Sequence, residues 1–340
     1  MRMATLGDMS QRPLVIAHRG SSGHRPEHTR AAYELSIEQG ADAIEPDLVA
    51  SKDGVLVIRH DCELATTTDV ASRPEFAHLK TTKMIAGHEF TGWFVEDFTW
   101  AELSTLRGRE RLPQFRPENT EFDGQQPILR FIDLLEIIEL APRPVSLVVE
   151  LKHPTYFDSI GLPLDELVQR DLFIAGWNPR DERLIMESFE KGILVRLKDK
   201  GLGARHFYIL EKGTTAWDEL VWAQEQGVPS LCNDEELSDA GLEIFAQKLD
   251  GLSVDARYLV DLATGDIADG QALVAKMQGL GLQVFAWTLR PENRFLPQGM
   301  RKGDDMAGWG NWEAAFQAIY ATGVDAVFAD HPDLAVRARP

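Results

Sequence analysis

The chain has 340 residues, 54 acidic against 35 basic side chains, and a formal net charge of −19. Such a balance argues against nucleic acid and against an anionic membrane as partners, because the long-range field repels both. A small anionic substrate stays open, since a metal ion and a few local cations override a global field, and the two cysteines, Cys62 and Cys232, are too few for a disulfide framework and read as unpaired thiols.

Residues 1–13 contain no apolar core of signal-peptide length, and no apolar run approaches a membrane span. A cytoplasmic protein without membrane insertion is expected, or a periplasmic or secreted one whose leader has been removed. Short β-type runs then alternate with longer helical patterns. Strands are predicted over 14–17, 43–49, 145–151, 183–188, 206–210, 251–254, 282–288 and 324–329. Helices are predicted over 27–39, 270–279 and 312–321. The alternation predicts an α/β protein, a (β/α)₈ TIM barrel spanning residues 13–338 as a single domain. An open doubly wound sheet fits less well, for want of a Gly-rich phosphate fingerprint. Residues 62–126 interrupt the pattern after the second-strand hairpin, and residues 290–310 interrupt it after the seventh strand. Barrel sites are built from loops at strand C-termini, so 62–126 is expected to be an inserted cap, with Phe90, Trp93 and Phe94 as its own core.

The first strand ends abruptly in His18-Arg19-Gly20. On the second, Glu45 and Asp47 are two apart and share a face, because strand side chains alternate. Two carboxylates on one face of an apolar strand repel and are costly to desolvate, unless a divalent cation sits between them. Asp53-Gly54 is a hairpin signal. With those two as the turn, Lys52 pairs with Val55 and Asp47 with His60, which returns His60 to the carboxylate face. The third strand supplies Glu150 and Lys152 on one face at its end. Three carboxylates suit one hard divalent ion, Mg²⁺ or Ca²⁺, better than zinc. Two histidines, His18 and His60, offer a general acid and base near neutral pH. Arg19 and Lys152 can hold a phosphate. Together these groups fit hydrolysis of a phosphodiester.

His18-Arg19-Gly20, Pro26-Glu27-x-Thr29, Glu45-Pro46-Asp47, His60-Asp61, Glu150-Leu151-Lys152 and the ending Asp330-His331-Pro332 form an ordered set. That set resembles the motifs of the glycerophosphodiester phosphodiesterases, of the phospholipase-C-like phosphodiesterase superfamily. The resemblance implies a (β/α)₈ barrel, one divalent cation, and hydrolysis of glycerophosphocholine or glycerophosphoethanolamine to sn-glycerol 3-phosphate and an alcohol. It implies metal ligation by Glu45, Asp47 and Glu150, acid and base roles for His18 and His60, and phosphate binding by Arg19 and Lys152. Glu27 would support the site. Two residues depart from the pattern: His28 stands where the family usually has Asn, and Arg290 where an Asn often lies. Arg290 is expected at the rim of the site.

Trp287 ends the seventh strand, where an aromatic packs against the substrate or fills the barrel mouth. His153 and Tyr156 lie in a loop position that favours substrate contact. A Pro-Glu-Asn-Thr does occur at 117–120, far from the first strand, and is read as coincidence. Two other functions stay open: a phospholipase-like enzyme acting on lysolipids, and a barrel that binds phosphoesters without turnover. The sequence is silent on oligomeric state.

Overall fold

The computed structural model describes residues 12–178 and 180–340. The amino-terminal stretch read for a leader lies almost wholly outside them. The strands are β1 (Leu14–His18), β2 (Ala43–Glu45), β3 (Asp47–Ala50), β4 (Leu56–Ile58), β5 (Thr81–Ile85), β6 (His88–Gly92), β7 (Ser146–Leu151), β8 (Leu184–Ser188), β9 (Arg205–Leu210), β10 (Gly251–Asp255), β11 (Gln283–Leu289) and β12 (Ala326–Ala329). The parallel order runs β2-β1-β12-β11-β10-β9-β8-β7, and pairing of β2 with β7 closes it. This is the predicted eight-stranded barrel, with helices such as Arg30–Glu38, Ala268–Gly279 and Trp312–Ala321 outside it.

The predicted strand over 43–49 is divided at Pro46, which has no N–H for the ladder. Beyond it, β3 still pairs parallel to β7, placing Asp47 opposite Glu150. The helix expected from residue 27 starts at Arg30, because the Thr29 hydroxyl caps it by accepting from Ala32 N at 3.2 Å. Glu27 and His28 are thereby left in the loop, with His28 at φ +58°.

The hairpin differs from its expected register by one residue. Leu48 pairs with Ile58, Val49 with Val57 and Ala50 with Leu56, so Asp47 faces Arg59 rather than His60. The turn holds three residues, 52–54, not two. The Ser51 hydroxyl accepts from Val55 N at 2.9 Å, and Gly54 takes φ +73°, as three-residue loops require.

Strand alternation builds the barrel interior. Ile16, Ala43, Val148, Ile185, Phe207, Phe285, Ala326 and Phe328 form one buried cluster inside it. A second, larger cluster runs between the strands and the helices. Phe94, Phe98 and Val95 of the inserted segment belong to that second cluster, as does Trp93. Phe90 does not share their burial: it sits on the β5–β6 hairpin and is 43% exposed, because that two-stranded ribbon projects outward. Both cysteines are unpaired. Among the described residues, no helix is long and apolar enough to cross a membrane.

Candidate active site

The inner cluster decides what points into the barrel mouth. Side chains two residues on from an inner apolar position share its face. Ile16 is thus followed by His18, Ala43 by Glu45, Val148 by Glu150 and Ile185 by Glu187. One half of the mouth is charged. The other half carries Ile209, Trp287 and Phe328 by the same period. Between them lies a cavity with about 440 Å³ of empty space.

At the end of β1 the chain turns sharply. Gly20 adopts φ +80°, and a Cβ there would lie 2.8 Å from the Ala32 carbonyl carbon. Arg19 itself sits at φ +61°. This turn aims the Arg19 backbone N–H at Glu45 Oε2 (2.9 Å) and its Nε toward Asp47 Oδ2 (3.2 Å). Lys152 Nζ donates to Glu150 Oε1 at 2.6 Å and stands 3.8 Å from Asp47 Oδ1.

Glu45, Asp47 and Glu150 each offer a carboxylate oxygen, and these oxygens lie within 4.8 Å of one another. At an effective dielectric of about 20, two unit charges about 4.8 Å apart repel by about 3.5 kcal/mol. Burial and the neighbouring carboxylates push Glu45 well above the usual range, and Glu150 is raised to about 8, burial being the main cause. Burial acts against Asp47 too, but Arg19 and Lys152 outweigh it and hold that carboxyl well below the usual range. Glu187 adds a fourth buried carboxyl, raised by burial and bonded to the Ser253 hydroxyl at 2.8 Å. Four carboxyls thus face the two cations Arg19 and Lys152, and one divalent ion would close the difference. Glu45 Oε1 and Asp47 Oδ1 are buried without a hydrogen-bond partner among the described residues. Orphaned hard oxygens in an acidic trio fit a divalent cation.

The two histidines have matching arrangements. His18 Nδ1 lies 2.6 Å from Asp330 Oδ1, and His60 Nδ1 lies 2.6 Å from Asp61 Oδ1. Both carboxyls are held below the ordinary range: arginines and His18 overcome burial at Asp330, and His60 and Arg111 do so at Asp61. Ionised carboxylates accept only, so each Nδ1 carries the proton and each Nε2 is the basic atom. Burial lowers His18 to about 4, with Arg19 adding to the effect and Asp330 opposing it. Burial, Arg19 and Lys152 lower His60 to about 3. Both rings are therefore neutral at pH 7. His60 lines the cavity even though the hairpin register differs, because the chain leaves β4 at Ile58 and carries it around to the mouth.

Glu27 lies behind Arg19, accepting from its Nη1 at 3.1 Å, and is gripped by Arg111 through Nε (2.6 Å) and Nη2 (2.7 Å). His28 is buried against Asp47, with Nε2 2.8 Å from Oδ2 and Nδ1 2.8 Å from the Tyr33 hydroxyl. His is among the residue types that tolerate its positive φ. Arg290 reaches the rim, its Nε 2.7 Å from Asp330 Oδ2. Trp287 packs edge-on to Phe189 at 5.7 Å in the cavity wall. His153 and Tyr156 do not line this cavity among the described residues. The Tyr156 hydroxyl donates to Glu96 instead.

Sequence reasoning missed several groups. Glu187 was findable, being on the inner face two residues past Ile185. Asp61 and Asp330 stand within the motif set itself, beside His60 and His331, but were given no role of their own. Arg111 and Arg116 carry no local signal, since they lie in an irregular loop. The Pro117–Phe122 helical turn is no mere echo of an earlier motif: Asn119 is buried there and donates to Glu110 Oε2 at 3.0 Å and toward Ser22 O at 3.4 Å.

Residues 18–334 match the glycerophosphoryl diester phosphodiesterase family. The glycerophosphodiester phosphodiesterase GDPD6 of Arabidopsis thaliana is 32% identical over 94% of this chain and 84% of its own. The glycerophosphodiester phosphodiesterase of Treponema pallidum is 26% identical over 95% of this chain and 91% of its own. A crystal structure of an Oleispira antarctica phosphodiesterase, in complex with the product sn-glycerol-3-phosphate, shares the fold at a TM-score of 0.60, with 23% identity over 97% of each chain. A match that begins at His18, the first of the paired histidines, and runs past Asp330 takes in the whole barrel mouth just described: this chain belongs to the glycerophosphoryl diester phosphodiesterase family.

Proposed function

We propose that this protein hydrolyses glycerophosphodiesters, such as glycerophosphocholine and glycerophosphoethanolamine, to sn-glycerol 3-phosphate and an alcohol. The observation that carries the reading is a pair of aspartate-bonded histidines lining one cavity with Arg19, Glu45 and Glu150, against which Asp47 and Lys152 pack. Glu45, Asp47 and Glu150 would hold one divalent cation, Mg²⁺ or Ca²⁺. When bound, that ion would neutralise charge on the phosphoryl oxygens. Arg19 and Lys152 hold the phosphate between them, and Glu27 keeps Arg19 in place. One histidine accepts a proton at Nε2 from the attacking hydroxyl, and the other delivers one to the departing alcohol oxygen. The anionic phosphodiester offsets the Arg19 field at the rings and so favours the protonated partner. Trp287 packs against the glycerol or head group, and residues 62–126 act as a cap that keeps water from the mouth.

Phosphorus NMR tests the reaction. Glycerophosphocholine should give sn-glycerol 3-phosphate; phosphocholine as product would place the cut at the wrong bond and overturn the assignment. Faster turnover of lysophosphatidylcholine than of glycerophosphocholine would favour a lysolipid enzyme instead.

Metal affinity should rise with pH up to about 8. Below that, Glu150 carries a proton that the cation must displace, so binding releases protons. Calorimetry in buffers of different ionisation enthalpy checks this; an affinity flat between about pH 6 and 8 would contradict it.

A further inference from the structure

We propose that the strap of residues 111–116 belongs to the catalytic apparatus: Arg111 and Arg116 are positioning residues, each pinning the aspartate that orients one of the two histidines. The inference rests on the acid–base reading of His18 and His60 given above.

Each aspartate gives one oxygen to a histidine and the other to arginine. Asp61 gives Oδ1 to His60 and Oδ2 to Arg111 Nη1, at 2.7 Å. Asp330 gives Oδ1 to His18 and Oδ2 to Arg116 Nη2, at 2.6 Å, and that second oxygen is shared with Arg290 Nε, at 2.7 Å. A carboxylate held by one bond swings freely about its side-chain axis. Fixing its second oxygen fixes the direction in which the first one faces, and with it the ring that donates to it. The arginines are themselves anchored. Arg111 forks onto Glu27, the residue that also holds Arg19. Arg116 donates through Nε to the buried Glu292 at 2.7 Å and through Nη1 to Ser22 O at 3.1 Å. Arg116 is itself buried. Ion pairs that served to fasten an insertion to a barrel could land on any rim carboxylate. These two land on the two aspartates that touch the histidines, and they come from one short piece of chain. The inserted segment therefore does more than cover the mouth: its docking completes both histidine–aspartate pairs.

The test uses Arg111→Met, and Arg116→Met combined with Glu292→Gln so that no buried carboxylate is left without its cation. Each is assayed on glycerophosphocholine and on the p-nitrophenyl ester of glycerol 3-phosphate, whose leaving group needs no proton. His18→Ala and His60→Ala are run beside them. The expected loss is about 10- to 100-fold in kcat with KM within about threefold, towards the lower figure for the Arg116 variant, in which Arg290 still holds Asp330. One arginine variant should regain most of its loss on the nitrophenyl ester, which marks its histidine as the acid; the other should not. Arg111→Lys and Arg116→Lys, which keep a charge, should recover part of kcat and stand in if the Met variants fail to fold. Unchanged kcat would overturn the proposal, as would a rise in KM alone, which would make the arginines substrate binders. Equal losses on the two esters for both arginine variants would overturn it too, as a merely structural effect. If the histidine variants keep their turnover, the acid–base reading itself fails, and that failure is seen separately.

Discussion

His60→Ala lowers kcat for glycerophosphocholine by about 10²- to 10⁴-fold, the range that positioned proton transfer contributes, and His18→Ala does the same. The reason lies in what each ring offers. Both are neutral in the buried mouth, both have Nδ1 committed to an aspartate, and both line the cavity. Neither ring is part of the inner apolar cluster, which His18 meets only edge-on at Phe328, 6.4 Å between centroids. Near-UV circular dichroism and the melting temperature should therefore stay close to those of the parent. An unchanged kcat for either variant would remove that histidine from the proton-transfer chemistry.

Glu45→Gln should abolish metal-dependent turnover, with a fall of at least about 10³-fold, while leaving the metal-free protein as stable as before or more so. The carboxyl is already pushed toward its neutral form by burial and by Asp47 and Glu150, so a neutral amide replaces what the metal-free fold tolerates. The amide oxygen can still accept from the Arg19 backbone, as Oε2 does now at 2.9 Å. What is lost is the charge that a divalent ion needs. The rise in melting temperature on adding Mg²⁺ or Ca²⁺ should vanish in the variant and persist in the parent. A variant that keeps the same thermal shift and the same turnover would take Glu45 out of the metal site.

Much of this architecture was legible in the residues. The barrel could be read because its strands are near-continuous apolar runs with charge confined to their C-terminal ends, as at Glu45, Asp47 and Glu150. The same period of two that packs Ile16 and Val148 inside delivers His18 and Glu150 to the mouth. The hairpin register was off by one because a single side chain, Ser51, takes the Val55 N–H and widens the turn; Asp-Gly alone does not reveal that. The arginines of the strap were invisible for a different reason. Arg111 meets Glu27 across 84 residues and Arg116 meets Asp330 across 214, and no local periodicity encodes contacts at such separation. The Pro-Glu-Asn-Thr at 117–120 was dismissed on sequence distance, yet Asn119 packs beside Ser22 in the first loop. Phe90 looked like core by composition and lies exposed on a projecting ribbon.

The most direct test of the account is release of glycerol 3-phosphate from glycerophosphocholine by protein stripped of metal with a chelator, then reloaded. The account predicts no release from the stripped protein and recovery with Mg²⁺ or Ca²⁺. Full turnover by the stripped protein, or recovery with zinc and neither of those ions, would contradict it.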